Sequence, residues 1–200
     1  MVDQPESVLA FWFGAPGSAT EIAGRQGKLW FGKSPANDQA VIDRFAATLT
    51  AATAGHLDHW TYTPRGRLAL VIVLDQFPHH IYRDRPQAFA TDPQSLALSL
   101  DALESGEGRQ LAPIERVFLY LPLEHAESLA MQEQSVSLYE QLAHEAAADE
   151  RALFDNFLDY ARKHRDVVAR FGRFPHRNTI LGRPSTPDEI EFLKQPGSRF

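Results

Sequence analysis

Four times in this chain a proline follows directly on a side chain suited to capping a helix: Ser34-Pro35, Thr63-Pro64, Asp92-Pro93 and Thr186-Pro187. A short oxygen-bearing side chain at that place accepts from an orphaned amide of the first helical turn. The proline after it has φ already set for a helix, and its missing N–H costs no helical bond there. Glu189, three residues past Thr186, completes a capping box. Pro113, after the turn "ESGEGRQ", reads as a fifth opener. This punctuation predicts a succession of helices.

The segments between these signals agree. Apolar residues return at three- and four-residue steps in Ile42, Phe45, Leu49 and Ala52, in Leu96, Leu100 and Leu103, and in Leu129, Val136, Tyr139 and Ala143. The clearest stripe is Phe154, Phe157, Ala161, His164, Val168 and Phe171. "RLALVIVLDQF", from Arg67 to Phe77, is apolar all round and rich in β-branched residues. It suits a buried strand, but a lone strand has no partner, so a central buried helix is expected. The expectation is an all-α chain of about nine helices, with residues 1–200 as one domain. A hydrophobic content of 44% is enough for a full core.

With no cysteine, the chain has no thiol nucleophile, disulfide or thiolate metal site. "MVDQPESVLAFWFG" reads as a helix start and not as a secretion leader, and the apolar run "LALVIVL" is too short to cross a bilayer. A cytoplasmic protein with no membrane partner is expected. The net charge of −6 and the lack of a recognition motif argue against nucleic acid. No phosphate-binding loop, dinucleotide fingerprint, metalloprotease or nucleophile-elbow motif is present, so no cofactor or metal is expected.

The charge is unevenly spread. Arg162 to Arg183 holds seven Lys or Arg against one acid, Asp166, so the rest of the chain carries −12. Such segregation implies an anionic partner, either a guest or another part of the same protein. Gly172 can end the preceding helix in a left-handed conformation. The loop beyond it, "FGRFPHRNTILGRP", offers Arg173, His176, Arg177, Asn178 and Arg183. Guanidinium forks match carboxylates and phosphates in two-point contacts. Equally, they can pair with the acids between Glu124 and Asp159, where nine acids stand against Arg151.

Other candidates lie further from the loop. His164 sits in an apolar stripe and should point inward, as a satisfied core histidine or as the floor of a polar cavity. Glu124, His125 and Glu127 open "EHAESLAMQEQ"; the two glutamates share a face while His125 is rotated away, so the three do not grip one ion. Asp75 follows strongly apolar residues and needs a partner such as Arg83 or Arg116. Adjacent His79 and His80 make no chelate by spacing alone. Trp12, Trp30 and Trp60 read as core. "FPHHIYRDRP" and "FPHRNTILGRP" echo one another faintly, as two helix ends with the same stop or as a degenerate duplication.

"LWFGKS", "LDQFPHHIYR", "ERVFLYLPLEHAE" and "FGRFPHRNTILGRPSTPDEIEFL" resemble the bacterial family catalogued as domain of unknown function 924, essentially end to end. The resemblance implies a tetratricopeptide-like right-handed superhelical array of antiparallel helix pairs, and it implies no activity. Where Arg-Asn is expected after the first Phe-Pro, this chain has His79-His80.

The resulting expectation is a helical binding module whose pocket takes a small anion or an acidic peptide. Arg173, Arg177 and Arg183 would clamp it and Asn178 orient it. His164, Arg116, Glu124 and Asp75 would line the site, and His176 would make binding respond to pH near 6–7. The alternatives are a cofactor-free hydrolase or lyase with His164 or His176 as general base, and a purely structural polar network.

Overall fold

A computed structural model describes residues 2–198. Among these residues it has ten α-helices and no strand. In chain order they are α1 (Pro5–Phe13), α2 (Ala19–Trp30), α3 (Pro35–Thr53), α4 (Pro64–Asp75), α5 (Phe77–Ile81), α6 (Asp92–Ser105), α7 (Pro113–His125), α8 (Leu129–Glu145), α9 (Arg151–Phe171) and α10 (Pro187–Phe192). Short 3-10 turns at Asp58–Tyr62, Pro86–Phe89, Glu107–Gln110 and Pro175–Arg177 join them. The all-helical class expected from the sequence is the one observed. No described helix is long and apolar enough to cross a membrane.

Most of the helix openers work as read. Ser34 Oγ accepts from Asn37 N, Thr63 Oγ1 from Gly66 N, and Thr186 with Glu189 forms a complete capping box. Asp92 departs from the expectation. The helix begins on it, Thr91 stands at the N-cap, and Thr91 Oγ1 donates instead to the Leu74 carbonyl at 2.5 Å. Ser18 and Glu21 form a second capping box, at the start of α2.

Helix α4 is the centre of the structure. Leu68 through Leu74 are all 3% exposed or less, and α4 packs against α1, α3, α6 and α7. Gly66, in its first turn, lets the Trp60 carbonyl approach where a Cβ would stand. On α6 the inward face is Ser95, Ser99 and Ala102, one position away from the Leu96–Leu100–Leu103 stripe read from the sequence, whose leucines are only half-buried. Small side chains let α6 lie close to α4, so close approach, not side-chain size, decides which face turns in. Leu129, read as part of the α8 stripe, is 46% exposed, whereas Val136, Tyr139 and Ala143 are buried.

Around α4 an aromatic cluster binds α1 to α2 and α7. Trp12, Trp30 and Phe118 meet edge-on or tilted, at centroid distances of 4.7 to 6.4 Å, and Trp30 Nε1 donates to the Trp12 carbonyl at 2.8 Å. Trp12, Trp30 and Trp60 are all core, as read. Helix α9 turns Phe154, Phe157, Ala161, His164 and Val168 inward and ends at Gly172, whose φ of 71° requires the freedom of glycine.

Candidate functional site

Between α5, α7, α9 and the loop after α9 lies a cavity of about 600 Å³. Its most unusual feature is compositional. Five of the eight histidines in the chain line it: His79, His80, His125, His164 and His176. The "PHH" of α5 supplies two, the C-terminal end of α7 supplies His125, α9 supplies His164, and the "FPHR" turn supplies His176.

Three of these imidazoles are held by a carboxylate at Nδ1. His80 meets Asp38 Oδ1 at 2.9 Å, His125 meets Asp75 Oδ1 at 3.0 Å, and His164 meets Glu124 Oε1 at 2.9 Å. A bond at Nδ1 fixes ring orientation and favours Nε2 as the nitrogen presented elsewhere. The three pairs differ in how far the carboxylate is committed. Asp38 also receives two bonds from Arg83, at 2.6 and 2.7 Å. His164 Nδ1 is shared with the Tyr160 carbonyl at 2.9 Å. Asp75 is fully buried, and its remaining partners are neutral: Gln76 Nε2 at 2.5 Å and Ser95 Oγ at 3.4 Å.

These surroundings set the titration of each ring. Burial alone would lower His125, but the charge and hydrogen bond of Asp75, with the charge of Asp92, outweigh it and raise the ring above the usual imidazole value. Burial also acts to raise Asp75, and His125 chiefly reverses that, so the carboxyl is held below its ordinary value. At His79 and His176 the nearby carboxylates, Asp75 and Glu127, act in the same sense but are outweighed. Burial, together with the positive charges nearby, pushes each down to about 3, so both are neutral at pH 7. The expectation that His176 titrates near 6–7 therefore fails, because its ring is buried beside Arg177.

The loop after α9 is tied together from within. Arg173 grips Glu189 through two bonds of 2.7 and 2.9 Å. Arg183 grips Glu127 at 2.6 and 2.8 Å and also reaches the Phe174 carbonyl and Asn178 Oδ1. Asn178 Nδ2 is engaged by Ser185 and Glu189. Arg116 pairs with Glu145 at 3.0 Å and does not line the cavity. Of the arginines named from the sequence, Arg177 and Arg83 line it among the described residues, and Arg83 pairs with Asp38 instead of Asp75. Glu124, His164 and His176 line it too, and Asp75 lies behind His125.

Arg177 is 7% exposed and held differently from its neighbours. Its guanidinium lies between the rings of Phe89 and Phe174, 4.6 and 4.8 Å from their centroids. Among the described residues it makes one side-chain hydrogen bond, from Nη1 to Asp92 Oδ2 at 3.1 Å. Arg177, Phe89 and His125 also border a second, more open hollow of about 490 Å³ with Asp92 on its rim.

Residues that sequence reading did not single out complete the cavity. Phe31 and Tyr160 stand at its rim, 59% and 48% exposed, and Phe31 lies 6.3 Å from Phe157. Lys33 also borders it. Helix α9 gives the cavity a direction: Phe157 and Tyr160 belong to its aromatic end, His164 lies one turn on from Tyr160, and His176 and Arg177 follow beyond Gly172. No group of three or more His, Asp or Glu side chains among the described residues is placed to hold a metal ion.

Comparison with known proteins agrees with the architecture. A solved structure of a protein of unknown function from Agrobacterium tumefaciens is similar at 34% identity with a TM-score of 0.80, covering 95% of this chain and 96% of that one. No curated protein matches. The family model described as bacterial protein of unknown function DUF924 matches residues 8–197. The chain belongs to that family.

Proposed function

We propose that this chain binds a small carboxylate-bearing molecule with a flat or apolar tail, carboxylate inward at Arg177 and tail outward between Phe31 and Tyr160. The observation that carries the reading is Arg177 itself. It is a buried guanidinium on the cavity wall, oriented by two aromatic rings, with a single side-chain hydrogen bond to Asp92. Arginine has five N–H donors, so most of this fork is left for a guest.

Charge arithmetic favours a monoanion over a phosphate. His79 and His176 are neutral at pH 7, so they lend hydrogen bonds but no positive charge. Asp92 and Asp75 offset much of what Arg177 and His125 supply, Asp38 holds Arg83, and Asp84 and Glu124 stand against Lys33. A cavity of about 600 Å³ is of the size that encloses metabolite-like ligands.

Calorimetric titration with benzoate, acetate and inorganic phosphate tests the reading. Benzoate should bind most tightly, and Arg177→Gln should weaken it by tenfold or more in a protein that remains folded. Equal benzoate affinity in the folded variant would overturn the assignment.

A further inference from the structure

The three carboxylate-held imidazoles are not equivalent, and the difference points to chemistry as well as binding. Asp38 divides its charge between His80 and the Arg83 fork, and His80 is lowered by burial in spite of it. His164 divides its Nδ1 between Glu124 and a backbone carbonyl. Glu124, like Asp75, takes no side-chain bond from Lys or Arg among the described residues, so the difference lies at the ring: His125 Nδ1 is aimed at Asp75 alone among those residues, and not also at a backbone carbonyl. Asp75 is fully shielded from water, while the His125 side chain keeps 18% exposure and borders the cavity. A fixed tautomer, a buried counter-charge and an accessible ring are what a general base requires.

We propose that His125 is a general base that activates water against an ester whose acid part carries a second, free carboxylate, with Asp75 as its positioning residue. This rests on the binding reading above, in which Arg177 receives that free carboxylate. Among the described residues no Ser or Thr side chain lines the cavity, and the chain has no Cys; of the two tyrosines that do, Tyr139 is buried and donates to the Val117 carbonyl, and Tyr160 stands out at the rim. Water is the nucleophile. As its oxygen bonds to the acyl carbon, one of its protons passes to His125 Nε2. The tetrahedral intermediate then expels the alcohol oxygen, the ester C–O bond breaks, and the same Nε2 returns the proton to the departing oxygen. Ester and water become acid and alcohol, and the imidazole ends as it began.

The groups that face His125 set its pH response. Asp75 comes from α4, Asp92 from α6, His79 from α5 and Arg177 from the loop after α9. The two acids favour the charged ring and Arg177 opposes it, while the ring of His79, 5.6 Å away by centroid, stays neutral. The unprotonated base therefore appears only above the ordinary imidazole midpoint near 6.5.

The test uses the full chain and mono(4-nitrophenyl) succinate, an activated ester with one free carboxylate. Turnover is followed from pH 5 to 9, and binding of succinamate, an unreactive amide with one free carboxylate, is measured in parallel. The wild-type rate should rise with a midpoint above 6.5. His125→Gln should lose about 100-fold or more in kcat while binding succinamate within about threefold. Asp75→Asn should lower kcat and move the midpoint down. Wild-type turnover no faster than that of free imidazole, or unchanged rate and pH profile in both variants, overturns the catalytic assignment. If succinamate binds in that case, only this inference falls; if it does not, the binding reading falls as well. Should Asp75→Asn not fold, nitrogen-15 titration of His125 in the wild type decides, and a midpoint at or below 6.5 counts against the dyad.

Discussion

Arg177 Nη1 lies 3.1 Å from Asp92 Oδ2, joining the loop after α9 to the first turn of α6 across 85 positions of sequence. Asp92 is the weaker partner. Burial, with the charge of Asp75 adding to it, pushes its carboxyl up to about 6 against the pull of Arg177. Removing the guanidinium therefore leaves a carboxyl that has little water to turn to. Arg177→Ala is expected to cost about 3 kcal/mol in urea unfolding at pH 7. Most of that loss should return when Asp92→Asn is added.

Acid stability follows from three side chains whose shifts have opposite consequences. The folded chain keeps His79 and His176 neutral down to about 3, whereas the unfolded chain protonates both near 6.5. Asp92 works the other way, taking its proton near 6 when folded and near 3.8 when unfolded. Between pH 6 and 5 the unfolded chain holds about two protons on these histidines, against about one held by the folded chain at Asp92. Stability should fall by about 1.4 kcal/mol per unit as the pH drops through that window. His80, also lowered, adds to the fall. Unfolding measured at pH 5 and pH 6 checks this, and His79→Asn with His176→Asn should flatten the slope.

Gly66 is needed for space, not for an unusual backbone angle. Its position in α4 places the Trp60 carbonyl and Thr63 Oγ1 where a side chain would begin. Gly66→Ala should destabilise by about 1–3 kcal/mol in thermal or urea unfolding, although alanine is the better helix former. The cavity histidines are untouched by this change, so its effect should stay within stability.

The Arg183–Glu127 fork fastens the loop to the start of α8, helped by Phe174 N, which donates to Glu127 Oε1 at 2.8 Å. Arg183→Lys keeps the charge and loses the two-point geometry. It should cost about 1–2 kcal/mol. Hydrogen exchange should rise in the segment 173–183, with α4 unchanged.

Phe31 separates fit from stability because it is 59% exposed. Phe31→Ala should weaken benzoate binding by about threefold to tenfold while leaving acetate unaffected. The melting temperature should move little.

The helices were largely legible because caps and apolar periodicity are local. Thr63-Pro64 and Thr186-Pro187 are where they were read, and "LALVIVL" is the central helix because a fully apolar segment must be surrounded. Asp92 defeated the local rule through a partner 85 residues away. The candidate site was only partly legible for the same reason. His164, Glu124, His176 and Arg177 were named from sequence and do line the cavity. Arg173 and Arg183 were named with them and are spent on Glu189 and Glu127. His125 points away from Glu124 around α7, and that rotation, which rules out a shared ion, is what turns it toward Asp75. The faint echo of Phe-Pro-His at 77–79 and 174–176 carries more than a shared helix stop, since each copy sends its histidine into the same cavity.

Helix α9 runs for 21 residues without proline or glycine, and it carries both Phe157 and His164. At 1.5 Å of rise per residue, those seven positions set a distance of about 10 Å along one wall. For the guest proposed above, the helix would be a graduated rule whose divisions are whole turns. Lengthening the guest by one carbon cannot be met by stretching that wall. A relative that accepts a longer molecule must therefore insert three or four residues here, or move its ring-bearing positions a full turn toward the N-terminus of the helix.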